Sequence, residues 1–252
     1  MSSRTRLAFN VKLNKAGETI NIQISDPKNI QADNLALATW GSSEVLANVL
    51  HRIPIDLNQN HALHSVPTVL ELGAGTGLVG LSAACIWRTS VVLTDLPPIL
   101  PNIQANIEMN SDIVRENGGS VVCGTLDWAA PKNMDLETRN EETSMIDERA
   151  KSWRARVIVA ADTVYSEEHP ELLVNAIKAR LDLGPKARLV MCYPLRIGYL
   201  DYIRDLWSRM EEAGLVCDQE GRETIDESWE EDTPYEWCVW RWQDTEKSDC
   251  TQ

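Results

Sequence analysis

Short stretches of this sequence carry residues able to do chemistry: "ELGAGTGLVG" from Glu71, "LTD" closing at Asp95, "LDW" ending at Trp128, and "ATWG" around Trp40. Gly73, Gly75 and Gly77 recur at every second position, which lets a backbone turn sharply and approach a ligand closely. Counted from Gly75, the same stretch is a literal G-x-G-x-x-G, the fingerprint of dinucleotide sites. That match alone is weak, because Gly80 serves equally well as a close-packing residue one turn into a following helix. Glu71 separates the readings. A carboxylate just ahead of the loop opposes a pyrophosphate, but it suits the ammonium of a methionine moiety, directly or through water. The loop therefore favours S-adenosylmethionine (AdoMet) over NAD. The plain alternative is a solvated glutamate at a strand end.

Asp95 lies eighteen residues beyond Gly77, the interval of one helix and one strand. A carboxylate there can accept both ribose hydroxyls of an adenosine, in NAD and AdoMet sites alike; as an alternative it caps the next helix. Asp127 is placed to accept from an adenine amine and Trp128 to line the base, although a tryptophan there also suits a core. Trp40 is a further aromatic able to cover a cofactor. His51, His61 and His64 read as surface residues near a polar linker, and His169, after "SEE", reads as a helix-start residue rather than a catalytic one. No metal-ligand spacing and no Ser/His/Asp set is present.

These residues need a scaffold, and the hydrophobic pattern supplies one. "LAFNVKLN" and "INIQIS" alternate around "KAGET", the signal of a β-hairpin. "LATWGSSEVLANVLHRI" has helical spacing, with Ser42 or Ser43 as its cap. From Val66 strands and helices alternate: "TVLEL", "GLVGLSAACIW", "SVVLTD", "PPILPNIQANIEMN", "GSVVCG", "ARVIVAAD", "EEHPELLVNAIKARL", "KARLVMCY" and "GYLDYIRDLWSRMEEAG". "LVCDQEGRET" and "YEWCVWRWQD" have no room for a helix between them and should pair antiparallel. The expectation is an α/β fold, a Rossmann-like doubly wound seven-stranded sheet with an antiparallel C-terminal hairpin. Residues 1–65 add an N-terminal hairpin and helix, and 66–252 form the main domain, the whole being one structural unit. The polar insertion from Pro131 to Trp153 shows almost no periodicity and reads as a loop.

The 252 residues suffice for such a domain, and a composition of 43% hydrophobic and 25% charged residues is that of an ordinary globular chain. No apolar run is long enough to span a membrane, and the N-terminus lacks the apolar segment of a secretory signal. Six scattered cysteines without a C-x-x-C pair read as reduced thiols in a cytoplasmic or nuclear protein. A net charge of −14 disfavours direct nucleic-acid binding and favours basic partners, or simply keeps the chain soluble. The stretch 218–236 is strongly acidic; it reads either as a docking surface for a basic protein or as a solvated connection.

The ordered set "TWGSSEVLA", "VLELGAGTGLVGL", "LTDLPPILPNIQANIEMN", "LDW" and "VIVAADTVYSEE" resembles the seven-β-strand, methyltransferase-like protein-lysine methyltransferases. Their fungal members include enzymes that modify translation elongation factors. The resemblance runs from about Thr39 to Leu181. It implies that Trp40 lies over the AdoMet site, that Gly73, Ala74 and Gly75 contact the methionine part, and that Asp95 holds the ribose. Trp128 then stands beside adenine, Ala161 borders the cofactor, and Asp162 with Tyr165 forms the D-x-x-Y element of the substrate lysine. The implied activity is AdoMet-dependent N-methylation of a protein lysine. Two rivals remain open, a small-molecule N-methyltransferase and a non-catalytic interaction protein on the same fold, with a hydride-transferring NAD enzyme behind them.

Overall fold

The computed structural model describes residues 4–27, 39–57, 67–137, 153–224 and 233–244. Eight strands make the main sheet, in the order β6-β5-β4-β3-β7-β8-β10-β9. Strands β3 (Val69–Leu72), β4 (Ser90–Asp95), β5 (Ser120–Leu126), β7 (Val157–Ala161) and β8 (Arg188–Pro194) run parallel. After β5 the chain returns to the other side of β3, so the order reverses between β3 and β7. That reversal opens a crevice at the strands' carboxyl ends. β9 (Leu215–Glu223) and β10 (Tyr235–Trp242) pair antiparallel as expected, and β10 also pairs antiparallel with β8.

The parallel strands are mostly apolar because helices cover both faces. On one face lie α1 (Gly41–Val49), α2 (Leu78–Trp87), α3 (Leu100–Met109) and the short α4 (Ser111–Glu116). On the other lie α5 (His169–Arg180) and α6 (Leu200–Glu212). The expected N-terminal hairpin is present, with β1 (Arg4–Lys12) antiparallel to β2 (Thr19–Pro27). It docks through two asparagines. Asn106 accepts the Ser25 amide at 2.9 Å, while Asn110 accepts the Gln23 amide and donates back to the Gln23 carbonyl. Phe9, Val11, Ile20, Ile22 and Ile24 share one continuous core with α1, α2 and the sheet.

Three readings need correction. Ser42 and Ser43 do not cap α1; Trp40 holds the cap position without a side-chain capping bond, and Ser42 is buried inside the helix. The segment after "LDW" is not all loop. "MDLE" forms β6 (Met134–Glu137), antiparallel on β5, which makes the sheet eight-stranded. Met134 is buried and Asp135 exposed, so the alternation was there but ran for only four residues between charged neighbours. Gly124 permits the pairing, since a Cβ there would stand 2.5 Å from the Asp135 carbonyl oxygen. Residues 138–152, His61, His64 and most of the acidic connection lie outside the described residues.

Both ends of the insertion are tied to one side chain. Arg180, 1% exposed at the end of α5, donates from Nε to the Pro131 carbonyl and from Nη1 to the Trp153 carbonyl. Trp153 in turn donates its ring N–H to the Pro67 carbonyl at 2.9 Å.

Candidate active site

The glycine turn sits at the carboxyl end of β3 and all three expected glycines are left-handed, with φ of 64°, 55° and 83° at Gly73, Gly75 and Gly77. A Cβ at Gly73 would also press on the Trp128 ring at 3.0 Å and on Thr163 at 3.1 Å, so glycine is required there twice over. Helix α2 starts at Leu78, directly after the turn. Neighbours pin the turn: the Ala74 amide donates to the Thr94 carbonyl at 2.9 Å, and Asn106 donates to the Thr76 carbonyl at 2.9 Å. The Thr39 and Thr76 hydroxyls meet at 3.1 Å, which fastens the segment carrying Trp40 to the loop.

Asp95 ends β4, 8% exposed, and its two oxygens accept the amides of Gly75 and Leu96, each at 2.8 Å. Burial pushes its carboxyl up, and the two amides pull it part of the way back. The carboxylate is thus held by backbone, with one lone pair on each oxygen still directed outward.

A cavity of about 240 Å³ opens over this turn, lined by Trp40, Gly73, Ala74, Gly75, Asp95, Asp127, Trp128, Ala161, Asp162 and Tyr165 among others. Ten of the eleven residues singled out from sequence therefore share one cleft, nine delivered from the ends of β3, β4, β5 and β7 and Trp40 from the start of α1. Asp127 also accepts the Ala129 amide at 2.8 Å in a turn of its own. Asp162 adopts φ 55°, unusual for a residue with a Cβ, and its amide donates to the Cys192 carbonyl at 2.9 Å. A strained backbone beside a cleft marks a position where side-chain direction matters more than local comfort. Burial, then the nearby Asp95 and Asp162, push the Tyr165 phenol up, so it stays protonated near neutrality.

Glu71 is the exception. It does not line the cavity; its carboxylate lies under α2 and accepts the Gly80 amide at 2.9 Å. Side chains alternate along a strand, and Glu71 falls on the face of Val91 and Leu93, with Leu70 and Leu72 on the other. Burial raises its carboxyl to about 8, with the Gly80 amide opposing and the Asp95 charge adding to the rise. Gly80 is the packing glycine expected, since a Cβ there would lie 2.0 Å from Leu93 and 2.5 Å from Glu71.

Sequence reasoning missed two residues. His169 lines the cleft, with its ring edge-on to Tyr165 at 4.2 Å and to Trp128 at 5.8 Å, and its Nδ1 accepts the Tyr165 amide at 3.4 Å. Burial lowers its imidazole, which keeps it neutral. Arg196, just after β8, reaches Asp162 and two aromatic rings. Tyr165 lies in a loop ahead of the helix that His169 starts, so the spacing of four between them gave no local sign that their rings meet. Nothing in sequence signalled Arg196.

A reversing parallel sheet with a glycine turn after its first parallel strand and a carboxylate closing the next is a Rossmann-like fold. Solved structures agree on the fold. The magnesium protoporphyrin IX methyltransferase of Synechocystis is 12% identical, with a TM-score of 0.52 over 80% of this chain and 79% of that one. A ribosomal protein L11 methylase of Lactobacillus delbrueckii is 11% identical, with a TM-score of 0.51 over 93% and 99%. Residues 18–201 match the lysine methyltransferase family, and the chain belongs to it. Relatives include the protein-lysine N-methyltransferase rrg1 of Schizosaccharomyces pombe, 32% identical over 78% of this chain and 58% of that protein. Another is the protein-lysine N-methyltransferase EFM2 of Saccharomyces cerevisiae, 32% identical over 82% and 48%. The chain thus spans about half the length of these relatives.

Proposed function

We propose that the protein transfers a methyl group from AdoMet to the side-chain amine of a lysine in a protein substrate. The observation that carries this reading is the convergence of the glycine turn, Asp95 and the Asp162–Tyr165 pair on one cleft. The residues fit AdoMet. Gly73, Ala74 and Gly75 would leave a floor without long side chains for the methionine part, Asp95 would hold the ribose hydroxyls, and Trp128 and Asp127 would flank the base. When bound, AdoMet supplies a methyl group on a positively charged sulfur. Glu71 does not touch it from its place under α2, and it supports the loop instead.

A neutral lysine amine takes the methyl group by direct displacement, in which the N–C bond forms as the C–S bond breaks and the electron pair returns to sulfur. The lysine must first lose a proton. Asp162, 9% exposed, would orient the arriving ammonium and accept its proton, since burial favours the neutral amine and carboxylic acid over the charged pair. Tyr165 keeps its own proton and offers a hydrogen bond that fixes the amine's direction. Trp40 covers the site and thins the water around the reacting atoms. Residues 1–65 serve here as an extension of the domain formed by 66–252, with Trp40 as their contribution to the cleft.

The substrate is most simply a protein with a basic surface, such as a translation elongation factor, met in the cytoplasm or nucleus. The net charge of −14 supports a basic partner. The described part of the acidic stretch supports it less, because Asp218 pairs with Arg241, Glu223 with Arg52 and Glu236 with Arg222. Among the described residues no helix is long and apolar enough to cross a membrane.

Calorimetric titration with AdoMet and with NADH tests the cofactor, and incubation with labelled AdoMet and a lysate lacking the enzyme tests the substrate. AdoMet binding and label on lysines of a protein band are expected. NADH binding without AdoMet binding overturns the reading, and label confined to small molecules replaces the protein substrate with a small amine.

A further inference from the structure

The cleft already contains a cation, and it is the protein's own. Arg196 places Nη1 3.5 Å from Oδ1 of Asp162. Its guanidinium carbon stands 5.5 Å from the Trp40 ring centre and 5.9 Å from that of Tyr199. All four residues line the same cavity. The Asp162 side chain is 5% exposed and that of Arg196 22%, so the pair is mostly withdrawn from water. Charge attracts charge and aromatic faces more strongly there than in solvent.

A carboxylate and two aromatic faces form a cation seat, which an ammonium can occupy as well as a guanidinium. Asp162 is positioned by its own backbone, through the left-handed φ and the bond to Cys192, so the seat does not depend on Arg196 for its shape. At 3.5 Å the contact is long for a charge-assisted hydrogen bond, which suits an occupant that leaves.

We propose that Asp162, Trp40 and Tyr199 form the seat of the substrate's lysine ammonium, and that Arg196 is an internal placeholder which the incoming lysine displaces. The proposal rests on the lysine-methyltransferase reading. Arginine suits the role because it neutralises a buried carboxylate while the site waits. It also keeps its proton at any physiological pH, so it offers no lone pair to a methyl donor. Lysine can give up its proton and react. Arg196 is therefore a positioning residue, and part of the apparent substrate affinity reflects the exchange of one cation for another.

The test is Arg196→Lys in the full chain, incubated with labelled AdoMet alone and mapped by mass spectrometry, alongside titration of both proteins with AdoMet. Methylation at position 196 is expected, about tenfold faster than at any other lysine of the chain, at a rate per molecule independent of protein concentration. The added Asp162→Asn change should suppress it. If the variant binds AdoMet like the wild type and position 196 stays unmodified, the placeholder idea is wrong. A rate that rises with protein concentration also sinks it, since the lysine would then be reached from outside. Loss of AdoMet binding in the variant alone would make Arg196 a wall of the cofactor site and overturn the exchange. Failure of the wild type to bind AdoMet would instead remove the parent reading.

Discussion

The two sides of the cleft are built by different means. The side at β3 and β4 is made of backbone, with three left-handed glycines and two amides clasping Asp95. The side at β7 and β8 is made of side chains, in which Asp162, Arg196, Trp40 and Tyr199 meet through one ion pair and stacked charge. A site built of backbone can accept little besides its one ligand, whereas a site built of side chains is retuned by single substitutions. The first therefore suits a cofactor that never varies, and the second suits a substrate that does.

The contrast can be broken from either side. On the amine side, Asp162→Asn should lower kcat by roughly 10²–10⁴-fold with AdoMet affinity nearly unchanged, read by steady-state kinetics beside calorimetry. On the cofactor side, Asp95→Ala should weaken AdoMet binding by about 10–100-fold, through loss of charge-assisted bonds and of the turn they hold. Equal losses of affinity in both variants would mean that the two sides are not separable.

Glu71 probes the layer beneath. Its carboxyl prefers the protonated form in the fold, so its contribution to stability is full below about pH 4.5 and is lost as pH rises through about 8. Glu71→Gln keeps an acceptor for the Gly80 amide and removes the ionisation. Urea unfolding should show the variant more stable than wild type by on the order of 2 kcal/mol at about pH 9, and close to it at about pH 5. A constant difference between the two pH values would rule out burial as the cause. The smallest effect is expected from the acidic stretch. Neutralising Asp226, Glu227, Glu230, Glu231 and Asp232 should weaken a basic protein substrate by roughly three- to fivefold at low salt and hardly at all at high salt. AdoMet affinity should not change, and salt-independent kinetics in the wild type would reject docking through that stretch.

What could be read from sequence follows the same division. Gly73, Gly75, Gly77 and Asp95 were legible because a backbone turn restricts which residues can occupy it, and those restrictions are local. The parallel strands were legible from their apolar runs, and the terminal hairpin from the lack of space for a helix. Glu71 was read at the right strand end but on the wrong side, because its direction is set by the pleat and by which face α2 covers. β6 was too short for its alternation to stand out. Arg196 meets Trp40 and Asp162 only after the sheet has been assembled, and a contact between side chains so distant in sequence leaves no local mark. His169 was nearer to hand; its cluster with Tyr165 and Trp128 needed the fold to become visible.

Arg180 bears on how such a protein changes over generations. Because one guanidinium grips both Pro131 and Trp153, the chain between them begins and ends at fixed points. The entropic cost of closing a longer loop between fixed ends grows only with the logarithm of its length. Insertions and replacements in that interval are therefore cheap and leave the sheet and the glycine turn in place. The interval is thus where this fold can vary at least cost.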